Sequence, residues 1–252
     1  ASNPNIQQIP NQKRYRACFV ADPGHHLVIA DYSQIELRIL AEVSGDSQLR
    51  HAFESGADLH KLTAAMMFGM PLDEVTKEAR QRAKALNFGM VYGMGPSGLA
   101  TRIGSTLDEA KELIDRYFAA YPGVRVWLRQ AARKAVETGE CMTLGGRRIR
   151  FAIPDPENRR AIAGIERVGK NAPLQGTSAD ITKRAIALLD SRLPSEVRIV
   201  NVVHDEIVLE APTDTAPRVA ELLRETMQEA AETYLTRVPV SVEADVAEAW
   251  IK

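Results

Sequence analysis

Apolar residues fill Leu27–Ala30 without a polar break, the pattern of a strand with both faces covered. A few residues on, the period changes. Ile35, Ile39 and Val43 recur four apart until Gly45, as in a helix with one buried stripe. Asp31 stands where the predicted strand ends, and a carboxylate there is costly to desolvate unless something positive sits on it. Ser33 with Glu36 three residues later also reads as a capping box. Asp31 is therefore either a neighbour of a helix N-cap or a metal ligand, and the local pattern leaves both open.

The pattern elsewhere is mostly helical. Residues 1–24 read as a polar, extended lead-in with Pro4, Pro10 and Pro23 and one predicted strand over 16–20. Helices are predicted over 58–69, 74–91, 107–121 and 124–137, broken by Pro71, by the Gly- and Pro-rich 92–98 and by Pro122-Gly123. Thr143–Arg148 reads as a tight hairpin turn, and 161–193 as helix interrupted at Pro173. The strongest strand signal is 197–210, two β-branched apolar runs separated by His204-Asp205-Glu206, hence a hairpin with those residues at or near its tip. A helix over 217–236 and a strand over 238–242 close the chain. Strands early and late with helices between predict an α+β fold, a helical block inserted into a small sheet domain.

Composition adds little until charge is followed along the chain. The 252 residues are 45% hydrophobic and 26% charged with a net charge of −1, so no global signal for nucleic acid exists. Residues 147–170, however, carry seven basic groups against three acidic, and 205–252 carry eleven acidic against four basic. A basic segment in a neutral chain suits a phosphate-facing groove or a solvated surface equally. Cys18 and Cys141 form no CxxC pair, and the five histidines show no zinc-ligand clustering, which predicts free thiols in a reducing compartment. No apolar run approaches membrane length and no signal peptide opens the chain, which predicts a cytosolic protein. The opening Ala-Ser-Asn-Pro-Asn reads as a cut from something longer.

Three constellations carry candidate chemistry. Asp31 and the hairpin acids Asp205 and Glu206 could share divalent cations, since close carboxylates repel unless cations lie between them. A polar hairpin turn explains His204-Asp205-Glu206 as well. Arg80, Lys84, Phe88 and Tyr92 are spaced by four on one helix face, two repelling cations that favour an anion between them, continued by a stacking surface. A solvated basic face with ordinary pairing, such as Glu78 with Arg82, is the alternative. Arg167, Asn171 and Gln175, again four apart, suit base edges and sugar oxygens or helix capping before Pro173.

Taken together and in order, these stretches resemble the polymerase motifs of family A, the bacterial DNA polymerase I family. The resemblance rests on Asp31-Tyr-Ser-Gln-Ile-Glu-Leu-Arg38, on Arg80-x3-Lys84-x3-Phe88-x3-Tyr92-Gly93, and on Val203-His204-Asp205-Glu206. It extends to Pro4–Pro10, Asp58-Leu59-His60, Tyr121-Pro122-Gly123 and Asn171–Thr177, and so covers essentially the whole chain. It implies a right-hand polymerase: palm over 1–57 and 150–252, with an inserted all-α fingers subdomain over 58–149.

By the same resemblance Asp31 and Asp205, with the Tyr32 carbonyl, would hold two Mg²⁺ ions, Mn²⁺ being able to substitute, with Glu206 nearby. One metal would activate the primer 3′-hydroxyl and the other would bind the triphosphate and departing pyrophosphate. Arg80, Lys84 and His60 would grip the phosphates, and Lys84 could protonate the leaving group. Phe88 would pack on the incoming sugar and base, with Ser33 and Gln34 also in the dNTP site. Tyr92 would sit at the template position and join Glu36 in excluding a 2′-hydroxyl. Arg167, Asn171, Gln175, His204, Asn5 and Gln7 would contact primer–template DNA.

The chain departs from the family pattern in places. It begins after the stretch in which the family carries its thumb, so that N-terminal region is an expected partner of an otherwise monomeric, membrane-free protein in the bacterial cytosol or nucleoid, or in a phage-infected cell. An upstream arginine near the primer terminus is missing, and Gln8 stands where Asn is usual. Two other readings remain at this level. A metal-dependent nuclease needs the same carboxylates but not the Arg80–Tyr92 helix, and a non-catalytic fragment would fit the missing thumb.

Overall fold

The computed structural model describes residues 5–10 and 12–251; Pro4, quoted in the first family motif, lies outside them. The chain divides into two compact units. One comprises residues 1–35, 178–234 and 240–252, the other 36–177 and 235–239.

The first unit is built on a four-stranded antiparallel sheet. After α1 (Lys13–Arg16) comes β1 (His25–Tyr32), which pairs with β5 (Glu206–Pro212) on one side and β6 (Val242–Ala247) on the other. The strand β4 (Arg198–Val203) lies outside β5, giving the order β4-β5-β1-β6. The helix α10 (Ala216–Glu232) covers one face, where the Tyr32 hydroxyl donates to the Met227 carbonyl at 2.8 Å. Leu27, Ile29, Val203, Val208 and Trp250 pack on the other face. Both faces of β1 are thus apolar, which is why its sequence reads as a continuous run rather than an alternation. A register shift in β4 between Ile199 and Asn201 turns Val200 outward.

The second unit is helical. It begins within α2 (Ile35–Ser44) and contains α3 (Ser47–Glu54), α4 (Leu59–Phe68), α5 (Lys77–Val91), α6 (Pro96–Ile103), α7 (Leu107–Ala120) and α8 (Pro122–Thr138). A small hairpin, β2 (Glu140–Met142) and β3 (Arg148–Arg150), follows, and then the first part of α9 (Arg159–Asp190). Asp46, Asp58, Thr76 and Thr106 cap the N-termini of α3, α4, α5 and α7 with their side chains. Glu42, buried on α2, accepts from the Arg237 backbone and side chain and from Thr236, fastening the 235–239 segment to that helix. Burial alone would raise its pKa, but Arg237 holds it below the usual carboxylate range.

Several motif residues are explained by packing. The second carboxylate oxygen of Asp46 accepts the Gly123 N–H at 2.8 Å, and a side chain at Gly123 would come within 3.0 Å of Asp46. Pro173 stays inside α9, whereas the sequence predicts an interruption there; Thr177 donates to the Pro173 carbonyl and accepts from the Leu144 N–H, seating the hairpin turn on the helix. At Gly169 a Cβ would lie 2.4 Å from the Ala135 Cβ and 2.9 Å from the Ala131 carbonyl oxygen. Neither neighbour is the end of a flexible side chain, so α8 and α9 would have to part. Gly169→Ala is expected to cost about 1–3 kcal/mol and to lower the midpoint of thermal unfolding by several degrees; an unchanged melting curve would show that the close approach is dispensable.

Two predicted elements differ, and two further helices appear. The strand predicted over 16–20 is the short helix α1 and a lone bridge from Val20 to Ala249, because the lead-in pairs with the chain end rather than entering the sheet. The last strand runs over Val242–Ala247, set by its register with β1, not 238–242. The periodicity predicts neither α3 nor α6; α6 starts on Pro96, which is well suited to a first helical turn. Among the described residues, no helix is long and apolar enough to cross a membrane.

Candidate active site

The carboxylates of the sheet unit meet because of strand register. Asp31 is the penultimate residue of β1, directly across from Glu206 at the start of β5 and Glu243 on β6. Val203 and Glu206 pair across a two-residue turn, so His204 and Asp205 form the hairpin tip, with His204 at φ +57°. That left-handed conformation is tolerated better by His than by a β-branched residue, and it leaves the His204 side chain exposed. Asp31, Asp205 and Glu206 line one cleft of about 440 Å³ together with Lys13, Arg16 and His204.

The three acids differ in what surrounds them. Asp31 and Asp205 are half-buried. Glu206 is 8% exposed and engaged: its Oε1 accepts the Trp250 indole N–H at 2.7 Å, and both oxygens accept from Arg16 at 3.2 Å. The Tyr32 phenol is pushed far above its ordinary pKa, first by burial and then by the Asp205 charge, so it stays a neutral donor to Met227. Among the described residues no cluster of three or more His, Cys, Asp or Glu side chains is arranged to hold a metal ion. Two oxygen-donor carboxylates and nearby backbone carbonyls nevertheless suit Mg²⁺, which is commonly held by one or two carboxylates and completed by substrate phosphates and water. The donor set contains no thiolate and a single, exposed imidazole, His204, which disfavours zinc. Ser33 donates its backbone N–H to Ser241, and Gln34 takes φ +57° with its side-chain oxygen buried and without a hydrogen-bond partner. Asn5 and Gln7 are exposed on the lead-in.

In the helical unit, α5 presents Arg80, Lys84 and Phe88 as the spacing predicts, and Tyr92 follows as its C-terminal cap residue. Lys84 is exposed, Arg80 and Phe88 are half-buried, and Phe88 and Tyr92 stack with ring centroids 6.4 Å apart and planes at 19°. The Tyr92 hydroxyl donates to Glu36 at 2.5 Å. Arg80 donates through Nε to Asp58 at 2.6 Å, while the other Asp58 oxygen caps α4 at the Lys61 N–H. Burial would raise the Asp58 pKa, yet the Arg80 hydrogen bond keeps it below the usual range. The Asp58–Arg80 pair was not legible from spacing, since the partners are 22 residues apart on different helices.

His60 is 2% exposed, packed on Phe88, and hydrogen-bonded through Nδ1 to Asn87 at 2.9 Å; Asn87 in turn meets Thr63, which reaches Tyr121. Burial lowers its pKa to about 4, with Asp58 opposing and Lys84 and Arg80 assisting. It is therefore a neutral imidazole at pH 7, not a third cation on this face. The unfolded chain takes up this proton near pH 6.5 and the folded chain only near 4, so the stabilisation is complete above pH 6.5 and lost as pH falls towards 4. Between pH 7 and pH 5 the loss should be about 2 kcal/mol, read by urea unfolding at the two pH values. In His60→Gln that difference should shrink; an identical pH slope would remove His60 as its source.

On α9, Arg167 and Gln175 are exposed and Asn171 is half-buried, donating to the Tyr92 carbonyl at 3.2 Å beside Gly93 at φ +65°. Asn171 thereby closes the C-terminus of α5, a different helix from the one whose capping before Pro173 the spacing allowed, and the flanking Arg167 and Gln175 remain open to solvent.

The comparisons agree on one family. The family model described as DNA polymerase family A matches residues 1–252. The chain is 44% identical to DNA polymerase I of Pseudomonas aeruginosa over 257 aligned positions, covering 99% of this chain and 28% of that protein. It is 41% identical to the thermostable DNA polymerase I of Thermus aquaticus, covering 100% of this chain and 30% of that one. A solved structure, the POL domain of Pol1 from M. smegmatis in complex with DNA primer-template and dNTP, superposes with a TM-score of 0.90 at 38% identity, covering 99% of this chain and 45% of that one. The chain thus spans under a third of these curated relatives.

Proposed function

The chain belongs to DNA polymerase family A, and from that premise we propose that it is the core of a template-directed DNA polymerase, joining dNTPs to a primer 3′-hydroxyl with release of pyrophosphate. The observation that carries this reading is the pairing of Asp31 and Asp205 in one cleft of the sheet unit, in a chain similar throughout to DNA polymerases. Residues 1–57 and 150–252 would be the palm and 58–149 the fingers. An N-terminal thumb region, primer–template DNA and dNTPs would be the partners of a monomer working in the bacterial cytosol or nucleoid, or in a phage-infected cell.

Asp31 and Asp205, with the Tyr32 carbonyl, would hold the divalent cations. Two Mg²⁺ ions, when bound, supply Lewis-acid stabilisation of the attacking and leaving oxygens. Arg80 and Lys84 neutralise the triphosphate, and Lys84, the exposed ammonium, is the group able to give a proton to the departing pyrophosphate. A triphosphate that engages Arg80 competes with Asp58 for it. His60 enters as a neutral imidazole that fixes Phe88 and donates, rather than as a charge. Phe88 packs on sugar and base, Tyr92 with Glu36 forms the wall against a 2′-hydroxyl, and Ser33 and Gln34 border the nucleotide. Arg167, Gln175, His204, Asn5 and Gln7 are exposed side chains able to read a primer–template; Asn171 would join them only by giving up its bond to Tyr92.

Primer extension by the 252-residue chain with Mg²⁺ and four dNTPs tests the reading. Templated elongation is expected. Release of nucleotides from DNA without dNTP uptake would make the carboxylates a nuclease site, and DNA binding with neither activity would leave a binding module.

A further inference from the structure

Glu206 sits across from Asp31 in adjacent strands, on the face that also carries Ile29, Val208 and Trp250. With Glu243 on the far side of Asp31, the sheet places three acids at one level, and like charges directly opposite one another are destabilising. Glu206 is neutralised within the fold. The Arg16 guanidinium lies 4.1 Å from the Trp250 ring, the ring is held edge-on by Phe19, and Arg16 and the indole N–H both close on the Glu206 carboxylate. Arg16 even leaves its own Nε buried without a hydrogen-bond partner to do so. Ordinary packing needs neither a half-buried arginine nor a buried glutamate at that cost.

We propose that Arg16 and Trp250 are positioning residues for the polymerase reaction: they tie Glu206 down so that Asp31 and Asp205, without a third carboxylate, hold the divalent cations. The inference rests on the polymerase reading of the cleft. Two carboxylates leave coordination positions for substrate phosphates and the primer hydroxyl, whereas a third ligand raises resting affinity and occupies one of those positions. Released from Arg16, Glu206 is near enough in register to turn towards the cation of Asp31, and the cleft gains one negative charge.

The test is Mn²⁺ binding to the whole chain without DNA or nucleotide, read by loss of the free-ion paramagnetic resonance signal, alongside single-turnover incorporation. Arg16→Met should bind Mn²⁺ about tenfold more tightly while its incorporation rate falls. Trp250→Phe, which keeps a ring for Arg16 but removes the N–H, should do the same more weakly and covers the case in which Arg16→Met fails to fold. Adding Glu206→Gln to Arg16→Met should return Mn²⁺ affinity to the wild-type value, a reversal that a purely structural role would not produce. Unchanged or weaker Mn²⁺ binding in both single variants overturns the inference. Asp205→Asn separates the two levels: if it leaves Mn²⁺ binding intact, the cation reading of the cleft fails first.

Discussion

Asp205→Asn and Asp31→Asn should each fold as the parent does and lose about 10³-fold or more of Mg²⁺-dependent nucleotide incorporation, roughly 4 kcal/mol of transition-state stabilisation. The argument is local. Asp205 occupies a two-residue hairpin tip and Asp31 a strand end; both are half-buried and neither fills the apolar core. Asparagine keeps the shape and some hydrogen bonding but loses the charge that attracts a divalent cation. With chelator present the melting temperature should stay close to the parent's, since neither side chain fills the apolar core. Primer extension and thermal unfolding on the same preparations check both halves. Retained extension in either variant would move the chemistry elsewhere in the chain, and a collapse in melting temperature would recast these acids as structural.

Glu36→Ala should admit ribonucleotides, lowering the preference for dCTP over CTP by about 10²-fold, a loss near 3 kcal/mol. An apolar pocket alone rejects an added hydroxyl poorly, so discrimination requires a wall held in place. Glu36 accepts the Tyr92 hydroxyl at 2.5 Å, and Tyr92 stacks on Phe88, which links the carboxylate on α2 to the aromatic end of α5. Removing the carboxylate opens space and releases the phenol together. As a first-turn acid of α2, Glu36 also contributes a helix-dipole term of about 0.3–1 kcal/mol. Stability should therefore change little while sugar selection changes greatly. The ratio of kcat/KM for the two nucleotides decides the matter, and an unaltered ratio would return Glu36 to the capping role.

Legibility from sequence followed the range of the interactions. The β1–α2 switch, the α5 stripe and the 197–210 hairpin were all readable because each is a local periodicity ended by a local signal. The pairing of Glu206 with Arg16, 190 residues away, was not, and neither was that of Arg80 with Asp58. His60 shows the difference most clearly. Its place in Asp58-Leu59-His60 suggested a phosphate-gripping side chain, but burial against Phe88 and the bond to Asn87 make it neutral. Arg16 and Trp250 left no sequence signal beyond a basic lead-in and a lone aromatic near the chain end.

What the sequence determined by itself is therefore the family and the elements with a strong local period, β1, α2, α5 and the 197–210 hairpin among them, since these depend on side-chain chemistry repeated at short spacing. Only the tertiary structure decided which acid Arg16 engages, that His60 is neutral and which carboxylate holds the Tyr92 hydroxyl. The reason is electrostatic: a carboxylate or imidazole takes its state from the charges and solvent within a few ångströms, and here those neighbours come from strands and helices far apart in the chain.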